Sequence, residues 1–343
     1  MYITKFATSE ELVAWNEIIA KCPYSEALHT YEWHNALKYS FKQMKPLYLT
    51  VKDDYGNIVS VMPCFIFQPI PMIKSLSSVP WTLPGGILII SEVDVQALIK
   101  SVCQKIDEIA DQNRLMEITI TLPVNFDEKI VNEFISNGFI NQENRFTHIL
   151  DLDKGYDFVW NAYNKRVRGA VRKAEKTGVI VRETEEEKDM IVFYKMYIEM
   201  MRRFGSTPKP YSLLRYLQIS PIARLVVAEL NGNIIAGLLF LHFNRYVRLW
   251  CETSDTNFLN YRPNNAIINY IIKWSCENGY KLVDFGASPI GNDGLVAFKE
   301  EWGAKMQWFK TLYKVHSLWR KRLWAVAEPS IRRVYAEIQR FRL

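Results

Sequence analysis

An acid, a serine, a lysine and two aromatic residues lie close together in the sequence between positions 284 and 302. Small residues such as Gly286 separate the acid from the others and let the backbone turn sharply there. A carboxylate can accept the proton of an amine, and a lysine cation can stabilise a developing oxyanion. We therefore treat this stretch as a candidate ligand site with these members: Asp284, Ser288, Phe298, Lys299 and Trp302.

Each of these residues has a chemical interpretation and an ordinary structural one. Lys299 is the candidate for charge stabilisation, but it could be a surface lysine on an exposed turn. Glu252, at the end of an earlier predicted strand, could take the proton of an amine, or it could be a solvated carboxylate. Asp284 could orient Lys299 or the amine, or cap the turn that follows it. Phe298 and Trp302 could simply pack a strand-to-helix corner.

A second group of charges lies on a helix predicted within residues 157–176. Apolar residues at helical spacing give this helix a buried face, and cations at the same spacing give it a basic stripe, which Arg166 and Lys173 widen. Such an unbalanced stripe suits a phosphate or carboxylate partner, although a charged helix face is often only solvated. The stripe residues selected as substrate-binding candidates are Lys165, Arg168 and Arg172.

The elements that must position these residues occur in the same order twice. A hairpin with a Gly-Asn turn, at Gly56-Asn57-Ile58 and again at Gly232-Asn233-Ile234, precedes a long helix and a further strand in each half. Hairpins combined with helix crossovers indicate mixed sheets. The sequence therefore predicts an α/β (α+β) fold with mixed sheets, used twice. Residues 69–86, rich in proline and glycine, are predicted to form an ordered loop with little regular structure.

Composition excludes several classes of protein. The 49% hydrophobic and 13% aromatic shares exclude a disordered chain. No apolar run approaches the ~18 residues of a membrane span, and the first residues lack a signal-peptide pattern. Cysteines and histidines are scattered without metal-ligand spacing, so we expect no metal site and reduced thiols in a cytoplasmic protein.

Two motifs carry a resemblance to a known family. Residues 168–178 read Arg-x-x-Val-Arg-Lys-Ala-Glu-Lys-x-Gly, and Asp-Phe-Gly-x-Ser at 284–288 is followed by Phe-Lys-x-x-Trp-Gly at 298–303. Both motifs resemble the Fem family of peptidoglycan bridge-forming aminoacyltransferases. The resemblance implies two tandem acetyltransferase-like (GNAT) domains and transfer of an acyl group, often from aminoacyl-tRNA, to an amine of a cell-wall precursor. The family's Phe-Lys pair falls on Phe298 and Lys299, and the resemblance implies that the lysine lies beside the reacting ester.

On this basis we expect three segments. Residues 1–150 form a first GNAT-like domain that binds the acceptor or is structural, residues 151–316 form a second, catalytic domain, and residues 317–343 form a basic amphipathic helical tail. Two alternatives stay open for the activity: an acetyl-CoA-dependent N-acetyltransferase acting on an amino sugar or another small amine, and a non-catalytic protein that binds an anionic glycan precursor or RNA.

The acyl donor is either aminoacyl-tRNA or acyl-CoA, and no tightly bound cofactor is expected. A GNAT domain that uses acyl-CoA cradles the pyrophosphate with a glycine-containing loop before a helix. The corresponding segment here, residues 261–266, has no glycine, and Pro263 lacks an N–H group. Arg262 and Asn264 at this helix start are substrate-binding candidates, and so is Tyr211, which precedes another predicted helix.

The tail carries most of the positive charge of the chain. Of the net charge of +6, residues 317–343 supply seven basic and two acidic residues, or +5. Pro329 is predicted to break the tail into two helical pieces. We expect the first to pack Trp319 and Trp324 onto its own domain and the second to contact an anionic membrane. The protein would then lie in the cytoplasm, at the inner face of the membrane; its oligomeric state does not follow from the sequence.

Overall fold

The structure, a computed structural model, describes residues 1–124 and 126–341, so the last two residues of the predicted tail lie outside it. The chain divides into two units. The first unit comprises residues 1–146 and 307–329, and the second comprises residues 147–306 with the described part of 330–343.

Both units contain strands and helices. The strands are β1 (Ile3–Phe6), β2 (Met44–Lys52), β3 (Ile58–Ile70), β4 (Ile73–Ser77), β5 (Leu88–Ile89), β6 (Glu117–Thr121), β7 (Ile140–Asp151), β8 (Ile180–Thr184), β9 (Ala223–Leu230), β10 (Asn233–Phe243), β11 (Tyr246–Ser254), β12 (Leu282–Ala287) and β13 (Lys305–Val315). The α-helices are α1 (Ser9–Val13), α2 (Trp15–Ala20), α3 (Tyr31–Ser40), α4 (Val95–Asn113), α5 (Glu128–Ser136), α6 (Tyr156–Ala162), α7 (Lys165–Lys176), α8 (Glu187–Arg203), α9 (Tyr211–Gln218), α10 (Pro263–Glu277), α11 (Asp293–Glu300) and α12 (Leu318–Phe341).

The first unit is built on a mixed sheet. Strands β1 to β4 pair antiparallel in sequence order, β4 runs parallel to β6, and β6 pairs antiparallel with β13. Helix α4 packs against this sheet through buried residues at helical spacing, including Leu98, Val102 and Ile106. The prediction that residues 69–86 lack regular structure is wrong for β4. The prolines flank this strand and none lies inside it, so its backbone is free to pair.

The second unit is also built on a mixed sheet, which confirms the predicted fold class. Strands β8 to β11 pair antiparallel, β12 runs parallel to β11, and β12 pairs antiparallel with the second half of β7. Helices α7 and α10 pack on the face of β10 that carries Leu238 and Phe240. Helix α8 covers the other face, where a Cβ atom at Gly237 would lie 2.6 Å from the Phe193 ring. Glycine at position 237 therefore permits close contact between helix and sheet.

The C-terminal tail is one helix and not two, so the predicted break at Pro329 is wrong. Proline removes one helical hydrogen bond, that of the Ala325 carbonyl, but Ala325 and Pro329 are both exposed, so water can bind this carbonyl. Trp324 is partly buried, as expected, whereas Trp319 is 54% exposed, contrary to the prediction. Among the described residues, no helix is both long and apolar enough to cross a membrane.

Candidate active site

The neighbouring strands β11 and β12 part from each other and open a cleft in the second unit. Their parallel pairing runs from Tyr246 and Leu282 to Arg248 and Asp284. Beyond this point β11 stays paired with β10 up to Ser254, while β12 stays beside β7 through a shift of register. The ends of the two strands, which lie at the carboxyl edge of a parallel pair, therefore diverge. Such an edge is where open sheets commonly bind ligands.

Lys299 lies buried in α11, beside the turn that follows β12. Its Nζ atom donates to the carbonyl oxygen of Gly286 at 2.5 Å and to the hydroxyl of Ser288 at 2.9 Å, and the residue is 4% exposed. Burial lowers the pKa of its ammonium group from 10.5 to about 8, against the opposing effect of the carboxylates of Asp284 and Glu252. Lys299 is therefore a fixed, desolvated cation near neutral pH and not a surface lysine.

Asp284 organises the turn that holds Lys299. Its Oδ1 atom accepts a hydrogen bond from the Gly286 N–H at 2.7 Å and another from the hydroxyl of Thr147. Its Oδ2 atom lies 2.9 Å from Nη1 of Arg248, and both side chains are buried. Gly286 has a φ of +76°, which favours glycine at this turn. Asp284 thus fixes the peptide whose carbonyl oxygen binds Lys299.

Glu252 lies near the end of β11 as a partly buried carboxyl group. Burial raises its pKa from 4.5 to about 7, although the Lys299 cation acts in the opposite direction. A carboxyl group with such a pKa can exchange a proton near neutral pH. His148, on β7, also lies within the electrostatic reach of Lys299, and burial lowers its pKa, which favours the neutral imidazole. Among the described residues, the cleft therefore brings the Lys299 cation together with a carboxyl group, Glu252, that can exchange a proton near neutral pH.

A basic groove of about 420 Å³ lies beside these groups, between α7 and the start of α10. On α7 the groove is lined by positions 166, 169, 170 and 173, so two cations flank two small residues on one side of the helix. A Cβ atom at Gly169 would meet nothing within 4 Å, which confirms that the space is open. The full lining is Arg166, Val167, Gly169, Ala170, Lys173, Arg262, Asn265, Phe298 and Glu301.

The start of α10 contributes further features that suit an anion. Arg262 precedes the helix in the left-handed conformation, with a φ of +61°, and Pro263 occupies the first helical position. The N–H groups at a helix start, together with the helix dipole, favour negative charge. Arg166 is partly neutralised, because its Nη1 atom lies 3.1 Å from a carboxylate oxygen of Glu301. Lys173 and Arg262 therefore dominate the positive charge of the groove.

The structure separates the predicted stripe residues from the groove. Lys165 is exposed on α7, and Arg172 lies over the ring of Trp160, 5.8 Å from its centroid. Arg168 donates to the carbonyl oxygens of Asn161 and Tyr163 at 2.8 Å, so it caps the end of α6. These three side chains are not part of the groove lining given above.

The remaining predicted residues occupy varied positions. Trp302 is fully buried and packs edge-to-face on Tyr163, with ring centroids 5.0 Å apart, so it supports the corner from inside the core. The amide of Asn264 lies 3.4 Å from the hydroxyl of Ser254, at the open end of β11. Tyr211 donates to a carboxylate oxygen of Glu187 at 3.2 Å, at the start of α9.

Sequence reasoning missed several residues of the cleft and the groove. Thr147, His148 and Arg248 come from strands far from Asp284 in sequence, and only the register of the sheet brings them together. Lys173 and its groove neighbours had a detectable signal, namely a cation, two small residues and a cation at i, i+3, i+4 and i+7.

Comparison with known proteins supports this description of the fold. Residues 161–300 match the family described as "Acetyltransferase (GNAT) domain". Over 95% of this chain and 99% of the other, the structure is similar to that of FemX, with 16% sequence identity and a TM-score of 0.74. A search of curated proteins found no significant match to the chain.

Two further solved structures are similar over almost their whole length. One is a tandem GNAT protein from the clavulanic acid biosynthesis pathway, with 13% identity, a TM-score of 0.60 and coverage of 92% of this chain and 98% of the other. The other is L-PGS from Bacillus licheniformis, with 13% identity, a TM-score of 0.59 and coverage of 98% and 97%. The chain therefore has the tandem GNAT fold, and residues 161–300, within its second unit, match an acetyltransferase (GNAT) domain.

Proposed function

We propose that the second unit is an acyltransferase centre that transfers an aminoacyl or acyl group to an amine of a cell-wall or glycan precursor. The observation that carries the proposal is the buried Lys299 cation, held by Gly286 and Ser288 in a cleft that also contains Glu252. Desolvation of a cation costs stability, so a buried cation with a shifted pKa is commonly found where it serves a function. Acyl transfer gives it a use, because negative charge develops on the carbonyl oxygen in the transition state.

The proposed reaction uses two groups of the cleft in defined roles. The amine attacks the acyl carbonyl carbon and forms a new C–N bond, while Glu252 takes the proton that the amine loses, directly or through water. Lys299 stabilises the oxyanion of the tetrahedral intermediate. The intermediate then expels the ribose oxygen of tRNA or the sulfur of CoA, and the proton held by Glu252 is available to this leaving group. Asp284 and Phe298 position Lys299 and the donor.

The groove beside the cleft is the proposed site for the phosphates of the donor. Lys173, Arg262 and the N–H groups at the start of α10 offer the charge and hydrogen bonds that such an anion requires. Acyl-CoA and aminoacyl-tRNA both carry phosphates, so both remain candidate donors. Residues 261–266 contain no glycine, and Pro263 lacks an N–H group, so this segment offers a pyrophosphate fewer backbone contacts. This favours a donor bound through side chains.

The other predicted residues keep supporting roles in this proposal. Lys165, Arg168 and Arg172 extend positive charge along α7, where a long anion such as tRNA would pass. Asn264, Ser288, Tyr211 and Trp302 shape or support the substrate site. The first domain, predicted over residues 1–150, binds the acceptor or supports the catalytic domain. The reaction takes place in the cytoplasm, at the inner face of the membrane.

Two alternative functions make different predictions for the same cleft. An acetyl-CoA-dependent N-acetyltransferase would acetylate an amino sugar or another small amine and would ignore charged tRNA. A non-catalytic protein would bind an anionic glycan precursor or RNA through the groove and transfer nothing. The raised pKa of Glu252 favours an enzyme, because a binding protein needs no group that exchanges protons near neutral pH.

A screen of donors against acceptors by mass spectrometry tests the proposal. Acetyl-CoA, longer acyl-CoAs and charged tRNA are each combined with muropeptide and amino-sugar amines, and the acceptor mass is read before and after incubation. The proposal predicts that an amine gains the acyl mass in one pair at least. Donor binding without any transfer to these acceptors would favour the binding protein.

A further inference from the structure

Helix α12 leaves an apolar face uncovered in the half that belongs to the first unit. Trp319, Leu323 and Val326, which we call the outer face, are 54%, 43% and 79% exposed. Their spacing of i, i+4 and i+7 puts them on one side of the helix. Leu318, next to them, is 66% exposed. Four large apolar side chains on one short stretch are more than the scattered exposure that is normal for a protein surface.

The helix is held to the first unit by its other side, which fixes the direction of the outer face. Arg320 donates to the carbonyl oxygen of Arg114 at 2.8 Å, and Nζ of Lys321 lies 2.9 Å from a carboxylate oxygen of Glu117. Two of the three consecutive cations therefore serve as anchors. Arg322, the third, is exposed and lines a shallow cavity together with Trp319.

The second half of the helix, within the second unit, also carries exposed apolar side chains next to an exposed arginine. Ala336 and Gln339 are buried there, while Val334 and Ile338 are 60% and 43% exposed. Arg333 is exposed next to Val334. Exposed apolar side chains thus stand beside exposed arginines in both halves, and residues 317–343 carry a net charge of +5. This charge opposes the pairing of two copies through the same face and suits an anionic partner.

We propose that α12 attaches the protein to the surface of an anionic lipid membrane, with its outer face at the depth of the head groups. Tryptophan prefers this depth because its ring is apolar and its N–H group is polar. Burial of the aliphatic side chains removes apolar surface from water, and Arg322 and Arg333 are attracted by anionic lipid. This proposal adds a contact surface to the location proposed above, and it does not depend on acyl transfer.

Vesicle co-sedimentation of the full-length protein tests the proposal. The probes are vesicles of phosphatidylcholine alone and of phosphatidylcholine with phosphatidylglycerol, at low and high salt. We expect binding to the anionic vesicles at low salt and release at high salt. L323S/V326S and R322E/R333E should each lower the affinity roughly tenfold or more. V13S is the matched control, because Val13 is 91% exposed on another helix, α1, and we expect it to bind like the wild type.

Three outcomes would overturn the attachment. The first is a wild-type protein that binds neither kind of vesicle, and the second is an L323S/V326S variant that binds as tightly as V13S. The third is a dimer in solution, measured by light scattering, that L323S/V326S converts to a monomer, because the outer face would then be covered by a second copy. Circular dichroism checks that each variant keeps its fold. Since vesicle binding is measured without an acyl donor, failure of the proposed activity would leave this result unaffected.

Discussion

The Nζ atom of Lys299 lies 2.5 Å from the carbonyl oxygen of Gly286, across a turn that Asp284 holds in place. This contact joins the end of β12 to α11 and holds a buried cation within electrostatic reach of Glu252. The hydrogen-bond partners that hold the cation, a backbone carbonyl oxygen and a hydroxyl group, carry no formal charge and so do not neutralise it. Such a cation can respond to charge that develops on a bound substrate.

The pH dependence of acyl transfer should follow the ionisation of Glu252 and Lys299. Burial raises the pKa of Glu252 to about 7 and lowers that of Lys299 to about 8. The base must be deprotonated and the cation protonated, so kcat/KM in the free enzyme should rise through pH 7 and fall above pH 8. With the same acceptor, the ionisation of the amine cancels in the ratio of the wild-type to the E252Q kcat/KM, and this ratio should rise through pH 7. A ratio that stays constant between pH 5 and pH 8 would remove Glu252 from the role of base.

Stability offers a second test of Glu252 that needs no substrate. The folded protein holds this proton more tightly than the unfolded chain, since the pKa rises from 4.5 to about 7 on folding. Ionisation therefore lowers the free energy of unfolding as the pH rises from about 4.5 to about 7. E252Q should become more stable than the wild type across this range, by about 1–3 kcal/mol at pH 8. Urea unfolding at pH 4.5 and pH 8 measures the difference, with E199Q, at an exposed position, as the control.

Replacing Gly286 by alanine should separate strain from function. The φ of +76° disfavours alanine, and the new Cβ atom would lie 3.5 Å from the carbonyl oxygen of Leu249. We expect G286A to lose about 1–2 kcal/mol of stability and, because the Lys299 contact shifts, to transfer more slowly. Gly178 has a similar φ of +82° and nothing within 4 Å, so G178A should show the strain without the loss of activity. Equal rates in the two variants would mean that the turn does not position Lys299.

Charge reversal in the groove should weaken binding of the acyl donor. K173E and R262E should each raise the KM for the donor roughly tenfold and flatten its salt dependence, because each removes an attraction to phosphate. K176E, on the same helix but outside the groove lining, is the matched control, and R172E reports on the rest of the stripe. If K176E and K173E have the same effect, only the overall charge of α7 matters and the groove is not the donor site.

Much of the fold could be predicted because the signals are local. The Gly-Asn turns predicted both hairpins, and the spacing of Val167, Val171 and Ala174 predicted the buried face of α7. The tail was harder to predict. The proline pattern suggested a break, but whether a helix continues through proline depends on whether solvent can reach the freed carbonyl, and this is not visible in the sequence.

The candidate site could be predicted only in part, because it is assembled by tertiary contacts. The motif pointed to Lys299, but its burial depends on a carbonyl oxygen thirteen residues earlier in the chain. Arg248 meets Asp284 only through the register of β11 and β12. On α7, the spacing of Arg166, Gly169, Ala170 and Lys173 marked one side of the helix, but the sequence could not show that this side would face α10, as it does, while Arg172 lies outside the groove lining.

The most direct test of the account is the rate of acyl transfer by K299M, measured in single turnover with the donor found in the screen. Methionine keeps the length and volume of the side chain, and K305M, at an exposed lysine, serves as the control. The account predicts that K299M folds, binds the donor like the wild type and transfers about tenfold to a thousandfold more slowly, while K305M is unaffected. Wild-type transfer by K299M would contradict the assignment of Lys299 to the reacting centre.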